Sequence, residues 1–194
     1  VPNLVRGLGG LSEPRAAINW LREECARAGL SGVHLQFTMW SERATNVSGV
    51  DGEKDVPASA FDSLGFDSCS HYQFVHFTNI DRDYGNVLPD VKAEYEKLDR
   101  TLSVPYFPHV SMGWDNNPRF DTFRPGILRD CSVENIEKAL VQARDYADAH
   151  PDQPPLITIN SWNEWTESSY LEPDDLRGYG YLDAIRRVFC DQED

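Results

Sequence analysis

The sequence predicts an α/β protein built of parallel (β/α) units. Three observations carry that reading. Apolar residues recur at helical spacing in several separate segments. Between them lie four short runs rich in β-branched and aromatic residues. Helices and runs alternate along the chain, which is how a parallel sheet is written in sequence. The 194 residues suffice for one domain with a sizeable core.

The first helix opens at Ser12, a capping residue, with Pro14 in its first turn. Ile18, Leu21, Cys25 and Ala28 share one face, Trp20 sits mid-helix and is expected in the core, and Gly29 ends the helix. "VHLQFTMW" then alternates strictly: Val33, Leu35, Phe37 and Met39 face one way, His34, Gln36, Thr38 and Trp40 the other. The polar set is expected to face a barrel lumen and the apolar set to face helices. A polar loop over 41–55 and a short helix over 57–63 follow, then a second strand from Phe66 to Tyr72. "HFTNIDRDYGN" reads as loop, and a helix with Val91, Tyr95 and Leu98 on one face comes next. "SVPYFPHVSMGW" is the third strand, weakened by Pro105 and Pro108. After the loop "DNNPRFDTFRPGILRD", Ser132 caps a helix carrying Ile136, Leu140, Ala143 and Ala147. "PLITINSW" is the fourth strand, and a helix from Tyr179 to Phe189 comes last.

Charge narrows the function. A net charge of −14 and a pI of about 4.7 argue against nucleic acid, whose phosphates need a basic footprint, and against an anionic membrane surface. A neutral substrate such as a sugar is compatible with it. No apolar stretch has the length of a membrane span. The opening "VPNLVRGLGG" has neither an initiator Met nor a signal-peptide pattern, and is expected to be the interior of a longer chain. Cys25, Cys69, Cys131 and Cys190 are far apart and imply neither a zinc site nor a disulfide framework, so the compartment stays open.

The strand ends hold the chemistry. Trp40, Tyr72, Trp114 with Asp115, and Asn163 with Glu164 all lie at or beyond the C-terminal end of a strand, the edge where parallel α/β proteins bind ligands. Four active-site loops are expected, over 40–55, 72–88, 113–131 and 162–178. In "INSWNEWTESSYLEPDD" a helical turn after Trp162 would bring Glu164 and Glu167 face to face at i and i+3. Two close carboxylates repel, so one tends to keep its proton, and the flanking Trp162 and Trp165 push the same way. The product is an acid and a base in one site, which glycoside hydrolysis requires. A hard-metal site is the alternative, since Glu164, Glu167, Glu172, Asp174 and Asp175 supply many oxygens, but their spacing is irregular. Trp40, Trp114 and Trp165 are the candidates for a sugar-stacking platform, with Glu172 beside them. Among the histidines, His34 and His71 are expected to face the site; His76, His109 and His150 read as structural or exposed. Serine and cysteine nucleophile patterns and phosphate-binding loops are missing from the sequence.

These residues carry a resemblance. "WNEWTESSYLEPDD…GYGYLDAIRRVF" resembles the closing segment of the WbsX-like domain, which is similar to glycoside hydrolase family 99. That pattern runs roughly W-N-E-W-x-E-G-x-x-L-E-P, then G-Y-x-Y-L. "GFDSCSHYQF" and "PYFPHVSMGWDNNPRF" are similar to that family's strand ending in an aromatic and its G-W-D-N-x-P-R segment, so the matches cover most of residues 64–190. The resemblance implies a (β/α)8 barrel that cleaves internal α-mannosidic bonds with retention. It also implies a base acting on the substrate's own 2-hydroxyl, which gives a 1,2-anhydro sugar, and a second glutamate acting on the leaving group. Carried over, Glu164 is the base and Glu167 the general acid/base, with no metal or other cofactor. WbsX-like proteins are often described as glycosyltransferases of polysaccharide clusters; hydrolysis is the stronger expectation because no nucleotide-phosphate site is visible. A non-catalytic sugar-binding module is the rival from another class.

Two features depart from the family. Ser168 stands where Gly is common, and a full barrel needs about 250 residues. The chain is therefore expected to be the C-terminal half of a (β/α)8 barrel of TIM type, completed by a missing N-terminal half or by self-association, since a half barrel exposes its sheet edges.

Overall fold

A computed structural model describes residues 12–39 and 64–190. The loop over 41–55, the helix over 57–63 and Trp40 lie outside the described residues. Helix α1 spans Ser12–Arg27 and is followed by β1, Gln36–Met39. Next come β2, Ser68–His71, and α2, Tyr84–Thr101. Then follow β3, His109–Ser111, and α3, Val133–Asp148. The last (β/α) unit pairs β4, Thr158–Asn160, with α4, Gly180–Phe189; a small hairpin of β5, Asn163–Glu164, and β6, Ser169–Tyr170, lies between them.

The alternation expected from sequence is present, with shorter strands. β1 pairs parallel with β2, and β3 with β4. A parallel bridge from Cys69 to Tyr106 joins the two pairs. Cys69 donates its N–H to the Pro105 carbonyl at 3.0 Å and accepts from the Phe107 N–H at 2.8 Å. The third strand is broken where Pro105 and Pro108 have no N–H to offer a ladder. The four strands thus stand in chain order β1-β2-β3-β4, the order of a barrel wall rather than of a doubly wound sheet. Among the described residues the sheet is an arc: no further parallel strand pairs with β1 or β4.

The arc curls around its polar face. Register places Gln36 beside Ser68, Thr38 beside Ser70, His109 beside Thr158 and Ser111 beside Asn160. In a flat sheet, strands on either side of a third lie about 9–10 Å apart. Yet the hydroxyls of Ser70 and Thr158, flanking the third strand, meet at 2.6 Å. The polar side is therefore concave. Thr158 also meets His109 Nδ1 at 3.0 Å, and Ser111 meets His109 Nε2 at 3.2 Å, so the buried hydroxyls satisfy one another.

The convex face is apolar and helix-covered. Cys69, Val110 and Met112 pack in one core with Val87, Val91, Tyr95 and Leu98 of α2, with Ile136, Leu140 and Ala143 of α3, and with Ala184 and Val188 of α4; Phe37 and Met39 adjoin it. These are the helical positions that periodicity selects. Helix α2 begins earlier than expected, at Tyr84, so the loop over 72–88 ends at Asp83. Gly85 and Pro89 conceal that start in sequence, but the buried stripe from Tyr84 to Leu98 outweighs their low propensity. Trp20 is a correction: it is 58% exposed, while Ile18 is buried. Two residues span roughly 200° of a helix, so the two cannot share a face. Arg22 ties α1 to the sheet by donating to the Val33 carbonyl at 2.7 Å and the Asp67 carboxylate at 2.7 Å.

Tyr84 donates its hydroxyl to the Ser111 carbonyl at 2.6 Å inside the core. Tyr84→Phe removes a buried donor and is expected to lower stability by about 1–3 kcal/mol, read from the denaturant midpoint.

Candidate active site

The segment after β4 forms a hairpin rather than a helix. Trp165–Glu167 is a single 3-10 turn between β5 and β6. Ser161 fastens its base, donating to the Ser169 carbonyl at 3.0 Å and accepting from the Glu164 N–H at 3.1 Å. Ser168 closes the turn in the left-handed region, at φ 51° and ψ 31°. A side chain at that φ costs about 1–2 kcal/mol, so Ser168 holds a conformation that favours glycine.

The hairpin sits hard against the end of β3. A Cβ on Gly113 would lie 2.1 Å from the Ser168 carbonyl oxygen, so only glycine fits. Two residues on, the Asp115 N–H donates to the Glu167 carbonyl at 2.8 Å. The "GWDNNPR" and "WNEWTES" segments, at residues 113–119 and 162–168, are thereby one structure.

Arg119 completes it. This arginine ends a 3-10 turn, Asn117–Arg119. Asp115 shapes that loop by accepting from the Asn117 backbone N–H at 2.9 Å and from its side-chain amide at 2.7 Å. Asn117 in turn clasps Arg124, taking its N–H at 2.7 Å and donating to its carbonyl at 2.9 Å. The guanidinium then reaches three residues of the hairpin. Nη1 donates to Glu167 Oε1 at 2.6 Å, Nη2 to Glu164 Oε1 at 2.7 Å and Nε to Thr166 Oγ1 at 2.9 Å. Thr166 donates its hydroxyl to Glu164 Oε1 at 3.0 Å.

The two carboxylates share a partner but not an environment. The Glu164 side chain is 38% exposed and that of Glu167 only 8%. Glu167 Oε2 is buried with no hydrogen-bond partner. Burial raises the Glu167 carboxyl above its ordinary value; Arg119 opposes the rise, and the negative charge of Glu164 adds to it. One exposed carboxylate beside one buried carboxyl with a raised pKa is the kind of arrangement that separates a base from an acid.

Other sequence-predicted residues take different places. Trp165 is 44% exposed and stacks on Tyr170 at 3.9 Å. Its indole N–H donates to Glu172 at 2.9 Å, so Glu172 holds Trp165 in place rather than standing free. Asn163 is exposed beside Glu164. Tyr72 follows β2, with its ring 5.7 Å from that of His76. Trp114 is a correction: it is 8% exposed within the hydrophobic core and offers no open stacking face. His71 is another, since it lies among Tyr106, Phe77 and Glu94 on the helix side of the sheet. His109 is the imidazole on the concave side, as the strand parity around Pro108 requires. Of the oxygens proposed for a metal, those of Asp174 accept from the Tyr170 hydroxyl at 2.7 Å and pair with Arg177 at 3.1 Å. Sequence reasoning missed Arg119, although it lies in the quoted "GWDNNPR".

Two tests follow from this geometry. Gly113→Ala is expected to cost about 1–3 kcal/mol or more by overpacking, whereas Gly32→Ala, which has open space around it, should be near neutral in the same melts. A carboxyl whose pKa is raised on folding favours the folded state when protonated. Its contribution is therefore full below 4.5 and is lost as pH climbs through the raised value. Glu167→Gln should remove that part of the stability slope just above pH 4.5, measured as unfolding free energy against pH.

The sequence matches the family described as Glycosyltransferase WbsX over residues 9–185. The uncharacterized protein WxcX of Xanthomonas campestris pv. campestris is 28% identical over 187 residues, covering 92% of this chain and 25% of the relative. This chain thus spans about a quarter of the length of the curated relatives it matches. Two structures of the GH99 endo-alpha-mannosidase from Bacteroides thetaiotaomicron, one in complex with BIS-TRIS-propane, align with a TM-score of 0.48 and 16% identity. They cover 80% and 82% of this chain and 45% and 43% of those chains. With its match running through both strand-end segments that build the site, the chain belongs to the WbsX glycosyltransferase family.

Proposed function

We propose that this chain carries the acid/base centre of a retaining glycoside hydrolase, endo-α-mannosidase-like, acting within an oligosaccharide or polysaccharide. The supporting observation is the unequal pair at the end of β4: Glu164, 38% exposed, and Glu167, 8% exposed, held on one guanidinium. In the reaction Glu164 accepts the proton of the substrate's 2-hydroxyl as that oxygen bonds to C1. The C1–leaving-group bond breaks, and Glu167 gives its proton to the departing oxygen. Water then attacks C1 of the 1,2-anhydro sugar, yielding its proton to Glu167, while Glu164 returns a proton to the 2-oxygen. Two inversions at C1 leave the configuration retained.

Trp165, Asn163 and Tyr72 are the side chains proposed to seat the sugar, with Asp115 and Glu172 acting through the loops and ring they hold. Trp40 belongs to the same proposal but lies outside the described residues. The four-stranded arc would be completed by further (β/α) units, from a longer parent chain or from a second copy. The substrate is uncharged or weakly charged, in keeping with a net charge of −14; nucleic acid and membrane surfaces are not proposed as partners. No described helix is long and apolar enough to cross a membrane.

The family's description favours a second reading, glycosyl transfer. The same pair serves it if an acceptor hydroxyl replaces water in the second step. The deciding experiment is hydrolysis of α-mannan and a panel of bacterial polysaccharides by the longest parent of this chain, beside Glu167→Gln. New reducing ends from the parent alone, with sugar binding kept in the variant, are expected. Equal turnover in the variant would sink the assignment, and product formed only with an added acceptor or activated donor would favour transfer.

A further inference from the structure

We propose that Arg119 is a latch on the carboxylate pair: at rest it keeps Glu167 ionised, and a sugar entering between the carboxylates displaces it, so that Glu167 takes up the proton it later donates. This rests on Glu167 being the acid.

The geometry leads there in three steps. First, all three kinds of guanidinium nitrogen are spent on one hairpin: Glu167 at 2.6 Å, Glu164 at 2.7 Å and Thr166 at 2.9 Å. Both carboxylates aim at the same cation, which therefore occupies the ground between them. An acid and a base that act on one sugar ring must flank that ring, so cation and ring cannot share the space.

Second, the latched state is the wrong state for the chemistry. A guanidinium touching a carboxyl favours its ionised form. An acid must instead carry a proton when substrate arrives. The charged groups acting on Glu167 are Arg119, from the turn at 117–119, and Glu164, on its own hairpin. Asp115 meets Glu167 only through its backbone N–H, its carboxylate being taken by Asn117. Withdrawing Arg119 leaves burial and Glu164 acting together, both in favour of the proton.

Third, the latch can open cheaply. The Arg119 side chain is 41% exposed, and two of its three acceptors, on Glu164 and Thr166, lie at the exposed rim. The guanidinium can slide off Glu167 toward solvent without unpacking the core.

The test is a titration of Glu167 by carbon-13 NMR in glutamate-labelled protein, with its signal identified by loss in Glu167→Gln. Arg119→Met should raise the midpoint by about one pH unit or more, a tenfold gain in proton affinity, and Arg119→Lys should keep it near the wild-type value. An unchanged or lowered midpoint in Arg119→Met overturns the latch; if that variant does not fold, Arg119→Gln takes its place. Calorimetry with a manno-oligosaccharide, in two buffers of different ionisation enthalpy and at a pH between the two midpoints, then reads proton uptake. Uptake of about half a proton or more by wild type, lost in Arg119→Met and Glu167→Gln, is expected. Sugar binding without proton uptake overturns displacement. Failure of every sugar to bind counts against the glycosidase reading, and the titration still decides whether Arg119 controls the Glu167 proton.

Discussion

The contact between Gly113 and the Ser168 carbonyl governs the site. With no side chain at 113, the hairpin after β4 lies directly on the end of β3, and the Asp115–Glu167 backbone hydrogen bond fixes its height. Everything chemical depends on that seating. It sets Glu167 deep and Glu164 shallow, and it brings Arg119 within reach of both. Two loops that emerge from neighbouring strands become one rigid unit, which is how a strand edge turns into a site with defined distances.

The sheet beneath serves two different packing problems. Its convex face meets helices and is filled by aliphatic and aromatic side chains. Its concave face is polar, and at the curl Ser70, Thr158, His109 and Ser111 form a chain of side-chain hydrogen bonds, with Ser111 also accepting from the Phe74 N–H. Gln73 extends the polar layer toward the site, donating to Asn160 at 2.7 Å and Ser169 at 3.0 Å. The base of the β5–β6 hairpin is thus anchored in the interior rather than hung on the rim.

Much of this was legible in the sequence, for identifiable reasons. Alternation in "VHLQFTMW" carried the two faces of the arc, and helical spacing carried the buried stripes of α2 and α3. Glu164 and Glu167 stood out because two carboxylates beside two tryptophans need a reason. What escaped notice were relations between distant segments. Trp114 looked like a platform because it neighbours Asp115, but residues on adjacent positions of a strand face opposite ways. Glu172 looked like a sugar contact, but its carboxylate accepts from the Trp165 indole N–H. Arg119 was quoted and passed over, since a lone arginine in a loop shows its purpose only when the loop is folded.

The buried imidazoles have a consequence for any proton-linked behaviour. Burial lowers His76 to about 4 and His109 to about 3, and it takes His71 well below the ordinary histidine range. All three are therefore neutral near pH 7. Their titration falls below the interval between pH 5 and 8 in which histidine usually responds.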